Sequence, residues 1–155
     1  MEDKATILIV DDEAGVRSGL ERILVGRGYT VETAATGEDA LSVIAQSSVD
    51  LVVTDFMMPG MDGIVLLEEI KQRSQAMPVI MMTAYDSTDT VIQALRHGVN
   101  DFLVKPYQPD ELLNIIQREI ARYQQLHRDE YLPPSEQAPA LGRYISAQQM
   151  ETIDQ

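Results

Sequence analysis

Five short apolar runs, each followed by a segment with helical spacing, leave this chain few folds to adopt. The runs are Ile7 to Val10, Tyr29 to Ala34, Leu51 to Val53, Val79 to Met82 and Phe102 to Val104. They are brief, apolar or β-branched and bounded by turn formers, which predicts buried strands. Between them the apolar residues recur every three or four positions. Val16, Leu20, Ile23 and Leu24 share one face, and Gly28 suits the position just past a helix end. Leu41, Ile44 and Ala45 form a second stripe, opened by Thr36 and Asp39 with capping-box-like spacing. Ile64, Leu67 and Ile70 form a third, and Val91 and Leu95 a fourth that stops near Gly98. The fifth starts at Pro109, a good first helical residue, and carries Leu112, Leu113, Ile116, Ile120 and Tyr123. Strands apolar on both faces, alternating with helices, predict a parallel sheet covered on each side: a doubly wound, five-stranded α/β domain. Periodicity alone leaves the strand order open.

That domain is expected over residues 1–126. From His127 the pattern changes, and Pro133, Pro134 and Pro139 among polar residues read as linker. Leu141, Tyr144, Ile145 and Ala147 give a thin stripe for a short helix. Residues 127–155 are therefore expected to be a linker and C-terminal tail, either a partner-binding appendage or the stump of a removed output domain. No run approaches the roughly 18 apolar residues of a membrane span, and the N-terminus has no signal-peptide pattern. With no cysteine, disulfides and thiolate metal sites are excluded. The expected location is cytoplasmic. The 25 acidic and 12 basic side chains give a net charge of −13, without a basic cluster. Such a surface repels phosphate, so neither nucleic acid nor membrane is expected as a direct partner.

In a parallel α/β sheet, functional groups gather beyond the carboxyl ends of the strands. The first strand runs into Asp11, Asp12 and Glu13, the third into Asp55, the fourth into Thr83 and Ala84, and the fifth into Lys105 and Pro106. Carboxylates, a hydroxyl and an ammonium thus converge on one rim. Crowded carboxylates repel one another and favour a divalent cation, and hard oxygen ligands with open water positions suit Mg²⁺. Asp55 then stays ionised as a nucleophile, while Lys105 and the Thr83 hydroxyl face the charge of a transferring phosphoryl group. Ala84 is small enough to leave the approach open. One Asp at a strand end is more often a turn or capping residue; the specificity lies in the joint pattern at four strand ends.

With these residues in place, the chain resembles a response-regulator receiver domain of two-component signalling. The resemblance rests on Ile7 to Glu13, Val53 to Gly63, Pro78 to Ala84 and Asp101 to Pro106. It implies a flavodoxin-like strand order 2-1-3-4-5, an order for which a chemotaxis member of this family is the standard illustration. It implies that Asp55 accepts a phosphoryl group from a histidine kinase or phosphotransfer protein. Asp12 and Asp55 would bind Mg²⁺ directly, Asp11 mainly through water, and Met57 through its backbone carbonyl. Thr83 and Phe102 would be a switch pair and Lys105 would hold a phosphate oxygen, aimed by a cis bond to Pro106. Met57 and Tyr85 would flank the phosphoryl group, with Tyr85 shielding it from water. The output would go to a downstream protein or a missing output domain, and a homodimer is among the assemblies the family allows.

Other features weigh less. Met57, Met58 and Met61 read as apolar packing over the loop after Asp55. His97 reads as an exposed residue near a helix C-terminus. His127-Arg128-Asp129 lacks the other parts of a kinase site. Arg96, Asp101, Arg118 and Arg122, near the face formed by the fourth helix, fifth strand and fifth helix, read as solvated surface. A metal-dependent aspartyl phosphatase is the alternative from another class, but its usual second Asp falls at Met57. A receiver that only binds protein is the third reading, disfavoured by the intact acidic set. The expectation is a switch and not an enzyme.

Overall fold

The computed structural model describes residues 5–84 and 88–130. Its strands are β1 (Thr6–Val10), β2 (Thr30–Ala34), β3 (Leu51–Asp55), β4 (Val79–Thr83) and β5 (Asp101–Val104). The helices are α1 (Ala14–Gly26), α2 (Gly37–Gln46), α3 (Gly63–Arg73), α4 (Thr88–Arg96) and α5 (Pro109–Glu130). All four pairings are parallel and the order is β2-β1-β3-β4-β5, as the resemblance implied. Residues through Tyr123 form one packed unit, and Gln124 onward belongs to a second. The backbone of α5 runs past residue 126 to Glu130. The short helix expected around Tyr144, like all of 131–155, lies outside the described residues. Among the described residues no helix is long and apolar enough to cross a membrane.

Side-chain alternation divides the central strands between two cores. Leu8, Val10, Val52, Val79 and Met81 face a layer with Ala40 of α2, Leu66, Leu67 and Ile70 of α3, and Ala94 of α4. Ile7, Ile9, Leu51, Val53, Ile80 and Met82 face Leu20 and Leu24 of α1 and Leu112, Ile116 and Ile120 of α5. Every residue of β3 and β4 is buried. The expectation of strands buried on both faces holds there but not at the edge, where most of β2 is exposed or half-buried.

Local signals set the helix ends. The Thr36 hydroxyl accepts from Asp39 N–H at 3.0 Å and Asp62 accepts from Val65 N–H at 3.0 Å, capping α2 and α3. Gln108 N–H donates to Glu111 Oε1 at 2.8 Å before α5. After α1, Gly28 takes a φ of 96°, and Gly28 and Tyr29 return hydrogen bonds to Val25 and Leu24. At the sheet's amino end, Lys71 Nζ donates to Met77 O at 2.7 Å and Asn100 Oδ1 at 2.8 Å, tying α3 to the starts of β4 and β5.

Gly63 governs how closely α3 approaches the end of β3. Its amide donates to Phe56 O at 2.9 Å, and a Cβ there would lie 2.6 Å from the Asp55 carbonyl oxygen and 2.9 Å from Phe56 Cα. Both are backbone atoms, so α3 or the Asp55 loop would have to move. Gly63→Ala is expected to lower unfolding free energy by about 1–3 kcal/mol, read by urea denaturation; unchanged stability would contradict this close approach.

Candidate metal and phosphoryl-transfer site

Sheet register brings the chemistry together. Val10 pairs with Thr54, so Asp11 and Asp55 follow side by side at the carboxyl ends of β1 and β3. Asp55 pairs with Met82 and Thr83 with Val104, placing Thr83 and Lys105 on the same rim. Carboxylate oxygens of Asp11, Asp12 and Asp55 lie within 4.8 Å of one another. Lys105 reaches into the cluster, with Nζ 3.4 Å from Asp55 Oδ1 and 3.8 Å from Asp11 Oδ2. The Lys105-Pro106 bond is cis, as expected from the resemblance.

Burial differs across the cluster. Asp11 is 1% exposed and Asp55 9%, whereas Asp12 is open to solvent. Asp11 Oδ1 accepts from Glu13 N–H at 2.9 Å, but Oδ2 has no hydrogen-bond partner among the described residues. Burial pushes the Asp11 carboxyl above its ordinary range; the Glu13 N–H opposes this and the Asp55 charge adds to it. Burial likewise raises Asp55, opposed by the charge and hydrogen bond of Lys105 and the Phe56 N–H, while Asp12 pushes it further up. One ammonium facing three carboxylates leaves an excess of negative charge. Hard oxygen donors, one of them buried without a hydrogen-bond partner among the described residues, fit a small divalent cation of the Mg²⁺ type.

The other expected residues take related positions. Thr83 is fully buried at the end of β4. Phe102 is half-buried, pairs with Met81, and packs against the core between the sheet and α2, α3 and α4. Alternation puts Thr83, Met81 and Phe102 on that one face of the sheet. Ala84 and Pro106 are exposed beside the rim, and Met57 is 57% exposed in the loop after Asp55. Tyr85 lies outside the described residues. Of the neighbouring methionines, Met58 is buried and Met61 packs over Gly37. His97 is half-buried and its Nδ1 lies 3.1 Å from Glu68 Oε2. Arg118 is exposed, and its guanidinium bonds Asp101 and also Glu119 at 3.2 Å.

Two residues near the site escaped the sequence reading. The Tyr107 hydroxyl donates to Met82 Sδ at 3.3 Å, and its pKa is raised by burial and then by the charges of Asp11 and Asp55. Its only sequence signal is being an aromatic two places beyond Lys105. Arg17 Nη1 donates to the Asp11 carbonyl at 2.7 Å. It stands one helical turn past Glu13, but spacing alone does not point its side chain backwards.

A sequence model described as the response regulator receiver domain matches residues 7–117. The DNA-binding transcriptional regulator NtrC of Salmonella typhimurium is 39% identical over 122 residues, covering 79% of this chain and 26% of NtrC. A CheY-like receiver domain from Methanospirillum hungatei superposes with a TM-score of 0.76 at 32% identity, covering 79% of this chain and 98% of that one. The response regulator TrrA of Thermotoga maritima, solved in complex with Mg²⁺-BeF, gives 0.69 at 31% identity, covering 74% and 98%. NtrC corrects one expectation. Nucleic acid was excluded as a partner on the net charge of this chain, yet the relative is a DNA-binding protein. The chain spans about a quarter of that relative's length, so charge counted over this segment says nothing about what the rest of such a protein contacts.

Because burial is the leading cause of both raised carboxyls, the fold carries an ionisation cost when no cation is bound. Above the folded values these groups are ionised in folded and unfolded chains alike, and the cost is present in full. As pH falls from above the folded values to the ordinary 3.8, the folded chain takes up protons first and the cost disappears. Asp55→Asn, which removes one buried charge from the crowded cluster, is expected to stabilise the metal-free protein by about 1 kcal/mol at pH 7. The gain fades toward pH 3.8. Urea unfolding in a chelator across this range checks it, and a net loss at pH 7 would contradict it.

Proposed function

The chain belongs to the response regulator receiver domain family, and from that premise we propose that it is a phosphorylation-activated signalling switch with Asp55 as phosphoacceptor. The observation that carries this is the convergence of Asp11, Asp12 and Asp55 within 4.8 Å, with Lys105 Nζ 3.4 Å from Asp55. The donor is a histidine kinase's phosphohistidine. An Asp55 carboxylate oxygen attacks phosphorus, an O–P bond forms as the N–P bond breaks, and the imidazole leaves with the electron pair. Asp12 and Asp55 would hold Mg²⁺ directly, Asp11 through water, and the Met57 carbonyl would complete the protein's share. Bound there, the cation supplies neutralisation of the phosphoryl oxygens and of the crowded carboxylates.

The protein's own groups do the rest. Lys105 stands beside Asp55 and can follow a phosphoryl oxygen with its ammonium. The buried Thr83 hydroxyl sits on the same rim and on the same sheet face as Phe102. A hydroxyl drawn toward the new phosphate leaves room on that face for the ring to turn inward. Phosphorylation would thereby change the surface of α4, β5 and α5, where Ile92, Leu95 and Val104 are already exposed. The same reading takes 1–126 as the receiver and 127–155 as a linker and tail, supported by a family match that ends at 117. It also places the protein among switches and not turnover enzymes, because Met57 occupies the place of a phosphatase's second Asp.

Incubation with acetyl phosphate and Mg²⁺ is expected to add one phosphoryl group by intact mass. The adduct should be labile to hydroxylamine, absent in a chelator and absent in Asp55→Ala. Steady release of phosphate from many esters, or an adduct that survives Asp55→Ala, would contradict the reading.

A further inference from the structure

The two amino-terminal carboxylates of the site stand on adjacent residues, and the peptide between them is a rigid plane containing the Asp11 carbonyl and the Asp12 N–H. Asp11 is fixed independently: its amide donates to Ala34 O at 3.2 Å and its Oδ1 accepts from Glu13 N–H at 2.9 Å. Asp12 is not. Its side chain is exposed, and among the described residues no hydrogen bond holds its carboxylate. Its direction therefore depends on how the preceding peptide is turned. Among the described residues that peptide has one side-chain hold, the Arg17 guanidinium reaching back from the first turns of α1 to the Asp11 carbonyl at 2.7 Å. Arg17 is half-buried, so its reach is limited by packing as well as by the bond.

We infer that Arg17 is a positioning residue: by holding the Asp11–Asp12 peptide plane it aims the Asp12 carboxylate at the cation shared with Asp55. Its hydrogen bond ends on a neutral carbonyl, whereas the ion-pair contacts to the site carboxylates come from Lys105. The two cations divide the work, Lys105 compensating charge and Arg17 setting geometry. A planar, forked donor keeps such an orientation better than a flexible ammonium. Partners that orient metal ligands in this way typically carry about 10–100-fold in metal affinity.

This inference rests on the reading of Asp11, Asp12 and Asp55 as a divalent-cation site, and a double-mutant cycle separates the two. Mg²⁺ affinity would be measured on the whole chain by amide-shift titration for wild type, Arg17→Ala, Arg17→Lys, Asp12→Asn and the Arg17→Ala/Asp12→Asn double variant. Arg17→Ala is expected to weaken Mg²⁺ about tenfold, with a shifted and broadened Asp12 amide signal in the metal-free protein. In the Asp12→Asn background the same change should cost less than about twofold, because the group that Arg17 aims has lost its charge. Arg17→Lys should keep most of the loss, and it carries the same cycle if Arg17→Ala does not fold. Unchanged affinity in Arg17→Ala, full recovery in Arg17→Lys, or an equal loss with and without Asp12 would each overturn the positioning role alone. A wild-type chain that binds no Mg²⁺ would overturn the metal reading and this inference with it.

Discussion

Three carboxylates crowd against one ammonium at the carboxyl edge of this sheet, and that uneven charge balance is what the remaining structure has to support. Asp11 and Asp55 are buried and their carboxyls are held above the ordinary range, first by loss of water. A chain selected only for stability would have replaced them with apolar residues or full ion pairs. One buried oxygen of Asp11 has no hydrogen-bond partner among the described residues, which is intelligible if a cation completes the site at work.

The fold makes the crowding possible by rigid means. Register fixes which residues leave the sheet together, and two apolar layers clamp β1, β3 and β4 from both sides. Gly63 lets α3 press against the backbone of Asp55 and Phe56. Phe56 N–H in turn donates to Met82 O at 2.8 Å, extending the sheet contact one residue past Asp55. The end of β3 at Asp55 is thus pinned on two sides, while Met57 beyond it stays exposed. Rigid support below and an open approach above is the arrangement a phosphoryl donor requires.

Legibility followed the range of each interaction. Strand and helix positions came within a few residues because burial imposes periods that survive in one dimension. The site carboxylates and Lys105 were legible because parallel sheets expose strand ends on one rim, so position in sequence already encodes position in space. Strand order was not, since periodicity carries no neighbour information; it came from family resemblance. Arg17 and Tyr107 were missed for a different reason: each acts through one side-chain contact across a turn or a strand, and nothing in its spacing announces that contact. Glu119 was also missed: it is 1% exposed, with Oε2 3.2 Å from Arg118 and 3.7 Å from Arg122, and no apolar spacing marks a buried carboxylate. Net charge, read over the whole chain, overreached as well, because it was used to exclude a partner class although the chain spans only about a quarter of a DNA-binding relative's length.

The most direct test of the acidic pocket is anomalous diffraction from crystals soaked in Mn²⁺, a hard octahedral stand-in for Mg²⁺. The account predicts one strong peak within about 2.0–2.3 Å of oxygens from Asp12 and Asp55, with the Met57 carbonyl in the same coordination shell. A peak elsewhere on this acidic surface, or none at saturating metal, would contradict it.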